Sequence, residues 1–250
     1  IGNTHTVIGV YAGDSLRAMW RIATNRKAAA DELRIVFSTL FSLEELDLRQ
    51  VRASAVASVV PQLTRAWMQA IKDATGALSL VCNAETAAGL FDADYPNPRE
   101  IGADRVADAV AARTLYGAPV VVVDFGTATN IEVIDREGRF RGGVIAPGVQ
   151  TSANALFPPG AQLPDIALVA PPAVIGTNTV EAIQSGIMLG EADRVDGLVH
   201  RIFDQLGYSA KIIATGGLAA VVERYSSTID EVNTELTLEG LRLIADRAYR

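Results

Sequence analysis

The stretch Asp124-Phe125-Gly126-Thr127-Ala128-Thr129-Asn130 decides the fold, because it follows four consecutive valines at 120–123. Four β-branched residues in a row suit a strand buried on both faces of a sheet. A Gly- and Thr-rich turn at the end of such a strand is followed by runs at 130–134 and 139–145, which read as a hairpin around Arg136-Glu137-Gly138. The same design opens the chain. Ile1-Gly2-Asn3-Thr4-His5-Thr6 leads into β-rich runs at 6–11 and 16–22 joined by Ala12-Gly13-Asp14-Ser15. A repeat about half the chain long implies two lobes of one design rather than a solenoid. The expected division is a first lobe over 1–116 and a second over 117–250, with the strand leading into the first turn expected to lie before residue 1.

Between these turns the chain reads as α/β. Leu33, Val36, Phe37 and Leu40 have helical spacing within 28–40. Residues 51–60 are strand-like, Pro61 opens a helix through Trp67, Met68 and Ile71, and 77–82 is another strand. Residues 83–102, with Asp92, Asp94, Pro96 and Pro98, form a long loop, which in a compact domain is more often functional than idle. An Ala-rich helix covers 104–116, a short helix 150–157, and a Pro-rich connection 157–172. The helical stretch 179–206 is interrupted or closely packed at Gly186 and Gly190. A short strand at 212–214, a further helix and a terminal helix over 237–249 complete the reading. Trp20 and Trp67 are assigned to core packing.

Composition narrows the function. The 250 residues carry 22 Lys+Arg against 29 Asp+Glu, a formal charge of −7, which argues against nucleic-acid binding through a basic footprint. The single cysteine, Cys82, cannot form an internal disulfide and suits a reducing, cytoplasmic compartment. One cysteine and two histidines do not make an ordinary structural zinc site. No apolar run reaches the ~18 residues of a membrane span, so no membrane partner is expected. A GxxxxGK[ST] segment and a GxGxxG turn are both missing, which excludes a P-loop and a Rossmann cofactor site.

Two Gly/Thr turns facing each other across a cleft suit a polyphosphate, since glycine lets backbone N–H groups approach anionic oxygens and threonine adds uncharged donors. Asp124 beside the second turn is placed to hold a metal, with an Asx-turn cap as the alternative. Gly102-Ala103-Asp104-Arg105 opens a helix, where an Asp is commonly an N-cap. Arg105 fits that position poorly, because a cation in the first turn opposes the helix dipole unless an anion lies nearby. The pair is suited to hold a substrate carboxylate while the Asp accepts a proton. Asn178-Thr179-Val180-Glu181 fits a capping box that leaves the Thr179 hydroxyl for a ligand.

Taken in order, Gly2 through Val7, Trp20-Arg21-Ile22-Ala23-Thr24, Tyr95 through Arg105, Asp124 through Thr129, Gly142 through Gly148, Ile175 through Thr179 and Ala214-Thr215-Gly216-Gly217 resemble the type III pantothenate kinase family over essentially the whole chain. The resemblance implies the duplicated actin/hexokinase-like (ribonuclease H-like) ATPase fold, with two similar lobes around a nucleotide cleft. It implies phosphorylation of pantothenate by ATP as the first step of coenzyme A synthesis, with Mg2+ and a monovalent cation, K+ or NH4+. A homodimer with pantothenate near the subunit interface is also implied. On this resemblance Asp104 is the general base, and Tyr95, Gly102, Ala103, Arg105 and Thr179 contact pantothenate. Gly2, Asn3, Thr4, His5, Thr6, Val7 and Thr127 contact ATP, and Asp124 is the monovalent-cation ligand.

Several positions depart from the family pattern. The Asp that the family carries immediately before the first turn corresponds to a position preceding residue 1. Asn130 replaces a threonine of the second turn, Asp108 an asparagine, and Gly190-Glu191 a Gly-aromatic pair. These departures suit an alternative in which the chain is a catalytically weak, regulatory or accessory binding protein. Another alternative is a kinase of the same fold for a different small carboxylate. Retention of Asp104, Arg105, Asp124, Thr127 and Thr179 favours the pantothenate kinase.

Overall fold

The four valines lie at the centre of a sheet in the computed structural model, which describes residues 1–156 and 167–249. The first half runs β1 (His5–Ala12), β2 (Ser15–Ala23), α1 (Ala30–Leu43), β3 (Ser54–Val56), α2 (Pro61–Thr75), β4 (Ser79–Val81) and α3 (Ala103–Tyr116). The second runs β5 (Val120–Phe125), β6 (Ala128–Ile134), β7 (Phe140–Pro147), α4 (Val149–Ala155) and α5 (Thr179–Gln184). A π turn (Ser185–Leu189), α6 (Gly190–Leu206), β8 (Lys211–Thr215), α7 (Ala219–Val222), β9 (Glu231–Val232) and α8 (Leu236–Ala248) follow. Contacts group residues 1–111 with 236–250 as one unit and 112–235 as a second. The terminal helix, assigned by sequence to the second lobe, therefore packs within the first unit. There Thr237 donates its hydroxyl to Asp108 on α3 at 2.6 Å.

The second unit carries a five-stranded sheet in the order β7-β6-β5-β8-β9. Strand β5 is antiparallel to β6 and parallel to β8, and Val120, Val121, Val122 and Val123 are all fully buried, as the unbroken β-branched run requires. One face packs Val121, Val123, Phe125, Ile131 and Val133 with Met188, Ala192, Val195 and Val199 from the π turn and α6. Each of the larger of these buried side chains contributes about 1.5–3 kcal/mol. In the first unit the hairpin β1–β2 and the parallel pair β3–β4 form two two-stranded sheets. Their core is Leu33, Phe37 and Phe41 of α1 against Leu63, Trp67, Ala70 and Ile71 of α2, with Trp20 packed at its side. Phe41 stacks obliquely on both Phe37, at 4.7 Å, and Trp20, at 5.8 Å. Both tryptophans thus belong to packing. Each unit has an antiparallel hairpin with one register shift, followed by helices and then parallel strands, which is the internal echo in three dimensions.

Local details correct the sequence reading at several points. The strand expected over 51–60 is reduced to Ser54–Val56, because Pro61 occupies the first position of α2 and the chain bends at Val59, bridged by the Ser58 hydroxyl bonding the backbone of Val60. The interruption expected at Gly186 and Gly190 is a π turn. Ser185 donates to the Val174 carbonyl at 2.6 Å within it, and regular α-geometry resumes at Gly190. The connection over 157–172 and the end of the helix expected at 150–157 fall largely outside the described residues.

Asp196 on α6 anchors the following segment by accepting from the hydroxyls of Ser226, Ser227 and Thr228 and from the Ser227 amide, at 2.5–2.7 Å. Burial opposes its charge, and these donors together outweigh that penalty, so its carboxyl is held down at about 2. A depressed folded-state pKa gives stability that is present above the unfolded value and lost as pH falls through the folded one. Asp196→Asn is therefore expected to unfold at lower urea at pH 7, by about 1 kcal/mol after allowance for solvent screening. The deficit should shrink between pH 4 and pH 2. A deficit that stays constant down to pH 2 contradicts the assignment.

Candidate functional site

The carboxyl ends of the parallel strands β5 and β8 lie side by side, with Asp124 opposite Thr215. Strand ends of this kind are where open α/β sheets present their ligand-binding loops. Gly126 and Thr127 leave β5 exposed, while the Gly126 amide turns back to donate to the Ala128 carbonyl at 3.0 Å. The Thr127 carbonyl accepts from the Gly148 amide at 3.1 Å and from the Thr151 hydroxyl at 2.6 Å. The Thr127 carbonyl is thereby tied back to the start of α4 while the residue itself stays exposed. Gly216 follows β8 at φ +91°, and a Cβ there would come within 2.4 Å of an Asp124 carboxylate oxygen. Only glycine allows both the backbone angle and that approach. Asp124 is half-buried, so its oxygens and the neighbouring Thr127 form a hard-donor set suited to a cation. Among the described residues no cluster of three or more metal-ligating side chains occurs, so any ion here would share its shell with substrate or water.

The first turn repeats this construction in its own unit. The Gly2 amide donates to the His5 carbonyl at 2.9 Å, and the Gly2 carbonyl accepts from the Thr24 hydroxyl at 2.8 Å. Asn3, Thr4 and His5 are exposed, and Arg26 fixes the Asn3 side chain at 2.7 Å. Thr6 is buried, its hydroxyl 3.0 Å from that of Thr24, so it braces the turn from beneath. Val7 is half-buried in β1.

Also in the first unit, α3 starts one residue earlier than expected. The Gly102 carbonyl accepts from the Val106 amide, so Gly102 is the cap and Asp104 the second helical residue. The expected N-cap role of Asp104 is therefore not taken up. Its carboxylate accepts from the Arg105 amide at 2.9 Å and lies half-buried beside Gly102 and Arg105. Tyr95 belongs to the long 83–102 loop, and Ala103 is the first residue of the helix. A Cβ on Gly102 would fall 2.6 Å from Asp104 Oδ1. Gly102→Ala is accordingly expected to keep the fold but displace the Asp104 carboxylate, which lowers kcat by about tenfold or more on the reading of Asp104 as the general base. Steady-state rates at matched circular dichroism check it, and an unchanged kcat contradicts it.

Beneath the same helix start, the Cys82 thiol donates to the Ala103 carbonyl at 3.4 Å. Burial first, and then the nearby carboxylates of Asp104 and Asp108, push that thiol up to about 12. Cys82 is thus a packing residue with no thiolate chemistry near neutral pH. Asp108 is buried and turned to Thr237.

Thr179 is the exposed first residue of α5, in the second unit. Asn178 caps that helix, accepting from the Glu181 amide at 3.0 Å. The capping box is altered: the Glu181 carboxylate takes the amide and hydroxyl of Thr177, both at 2.8 Å, instead of the Asn178 amide. The roles of Thr24 and Thr151 escaped sequence reading, because each acts on a carbonyl more than 20 residues away.

The profile of the type III pantothenate kinase family matches residues 1–201. Type III pantothenate kinase from Moorella thermoacetica is 42% identical over 247 residues, covering 99% of this chain and 97% of the relative. The enzyme of that name from Roseiflexus sp. is 45% identical over 245 residues, 98% and 95% of the two chains. Among solved structures, the (R)-2-hydroxyglutaryl-CoA dehydratase component A from Acidaminococcus fermentans superposes with a TM-score of 0.56 at 14% identity, covering 100% and 95%.

Proposed function

The chain belongs to the type III pantothenate kinase family and has the duplicated actin/hexokinase-like ATPase fold, and from that premise we propose how its residues carry the reaction. It phosphorylates pantothenate at the expense of ATP, supplying coenzyme A biosynthesis. The pantothenate hydroxyl attacks the γ-phosphorus, the bond from that phosphorus to the bridging oxygen breaks, and ADP leaves. An alcohol is too weak an acid to attack as alkoxide at neutral pH, so its proton passes to Asp104 as the new O–P bond forms. Arg105, next in the helix, pairs with the pantothenate carboxylate, and Gly102, Ala103 and Tyr95 of the same unit are assigned as further contacts, with Thr179 of the second unit assigned to the same substrate on the family resemblance alone.

The exposed residues of the two Gly/Thr turns, Asn3, Thr4 and His5 in the first unit and Thr127 in the second, are assigned to the ATP phosphates, with Gly2, buried Thr6 and Val7 shaping the first turn behind them. Asp124 fits a monovalent cation, K+ or NH4+, since its carboxylate stands beside the exposed turn, in the space that the missing side chain of Gly216 leaves open. A cation held by Asp124, and the Mg2+ that accompanies ATP, would supply positive charge against that which accumulates on the phosphoryl group. A homodimer is supported by the exposed Val174 and Ile175 just before Thr179, and a cytoplasmic location by the lone reduced cysteine. Among the described residues no helix is long and apolar enough to cross a membrane.

The observation that carries the reading is the half-buried Asp104–Arg105 pair at the start of α3, with capping left to Gly102. ADP release from Mg-ATP with pantothenate is expected to run on the order of tenfold faster in potassium than in sodium. Equal rates in both salts would remove the cation role of Asp124, and no ADP release would remove the kinase.

A further inference from the structure

Within the second unit, Glu191 is a carboxylate 4% exposed on the first turn of α6. It accepts from the Thr129 hydroxyl at 2.6 Å and forms an ion pair with Arg194, one turn further along the helix. Arg194 in turn donates to the Pro147 carbonyl at 2.8 Å. Thr129 is itself buried, two residues beyond Thr127 on β6, and Pro147 ends β7 opposite Ala128. Next to Pro147 is Gly148, whose amide holds the Thr127 carbonyl. One buried carboxylate therefore ties β6, which leaves the exposed Gly126–Thr127 turn, to the end of β7, where the Gly148 amide holds the Thr127 carbonyl.

From this geometry we propose that Glu191 is a positioning residue for the ATP phosphates: through Thr129 on one side and Arg194 and Pro147 on the other, it fixes the second turn relative to α6. The proposal rests on the reading of that turn as a phosphate site. A buried charge of this kind holds its partners in one arrangement, because leaving either donor unsatisfied is costly. An amide row displaced by a fraction of an ångström loses aim at phosphate oxygens, while groups elsewhere keep theirs. Glu191 also stands where the family resemblance has an aromatic side chain, which would offer Arg194 no carboxylate.

The test compares Glu191→Ala and Thr129→Val with the parent in steady-state kinetics, with Thr127→Val as the reference for the turn. Both network variants are expected to raise KM for ATP about tenfold, with kcat and KM for pantothenate changed less than about twofold. The double variant should be no worse than the poorer single one, since both cut the same link. A purely structural role would lower the active fraction, and with it kcat, without moving KM for ATP. Thr129→Val exchanges the hydroxyl for a methyl of similar size and keeps the test open if Glu191→Ala does not fold. The inference is overturned if ATP KM stays within about twofold of the parent in folded network variants while Thr127→Val raises it. If Thr127→Val also leaves ATP KM unchanged, the phosphate reading of the turn fails, and the inference with it.

Discussion

Asp104→Asn is expected to lower kcat for pantothenate phosphorylation by about two to four orders of magnitude while leaving a folded protein that still binds both substrates. The asparagine carbonyl oxygen can accept from the Arg105 amide as the carboxylate does, so the local hydrogen bond survives. Losing a negative charge in the first turn of α3 costs the helix only about 0.3–1 kcal/mol. What the amide cannot do is take a proton from the attacking hydroxyl. The effect should therefore fall on kcat, with KM for ATP little changed. Calorimetric titration with pantothenate confirms retained binding, and stopped-flow rates give the chemical step. A variant with kcat within about threefold of the parent would contradict the role of Asp104 as base.

The largest expected loss of stability comes from Gly240→Ala. Helix propensity alone favours the substitution by about 1 kcal/mol. Packing decides the other way, because a Cβ at 240 would lie 2.0 Å from the Ala107 carbonyl oxygen on α3. Neither backbone can move locally, so α8 must shift away. That shift also strips the Thr237 hydroxyl from the buried Asp108 carboxylate. Overpacking of this kind costs about 1–3 kcal/mol, and a buried carboxylate short of a donor adds about 1–3 more. The net expectation is a loss of about 2–4 kcal/mol in urea unfolding. An unchanged or raised midpoint would refute the close contact of α8 with α3.

The fold was largely legible because its signals are local. Four valines at 120–123 mark a doubly covered strand, and the Gly/Thr turn after them repeats the one at the chain's start. The pair proposed for catalysis, Asp104 and Arg105, drew attention for a similar reason: Arg105 has no ordinary place in a first helical turn. Less legible was everything that depends on contacts between distant segments. The shift of capping from Asp104 to Gly102 is a matter of one residue of helix phase, which periodicity does not resolve. The seat of α8 beside α3 depends on a glycine at 240 meeting an alanine carbonyl at 107, more than a hundred residues apart. Glu191 stood out only as a departure from a family pattern. Its partners Thr129 and Arg194 become evident once β6 and α6 are side by side.

Cys82, buried beneath the start of α3 with its thiol pushed up to about 12, has a practical consequence. Burial and a thiol kept protonated at neutral pH are expected to slow its reaction with maleimide dyes, so the chain needs no cysteine removed before labelling. Cysteines introduced at exposed Leu43 in the first unit and Ile145 in the second would be the reactive thiols of the folded protein. Energy transfer between that dye pair would report, in real time, whether ATP changes the distance between the two units.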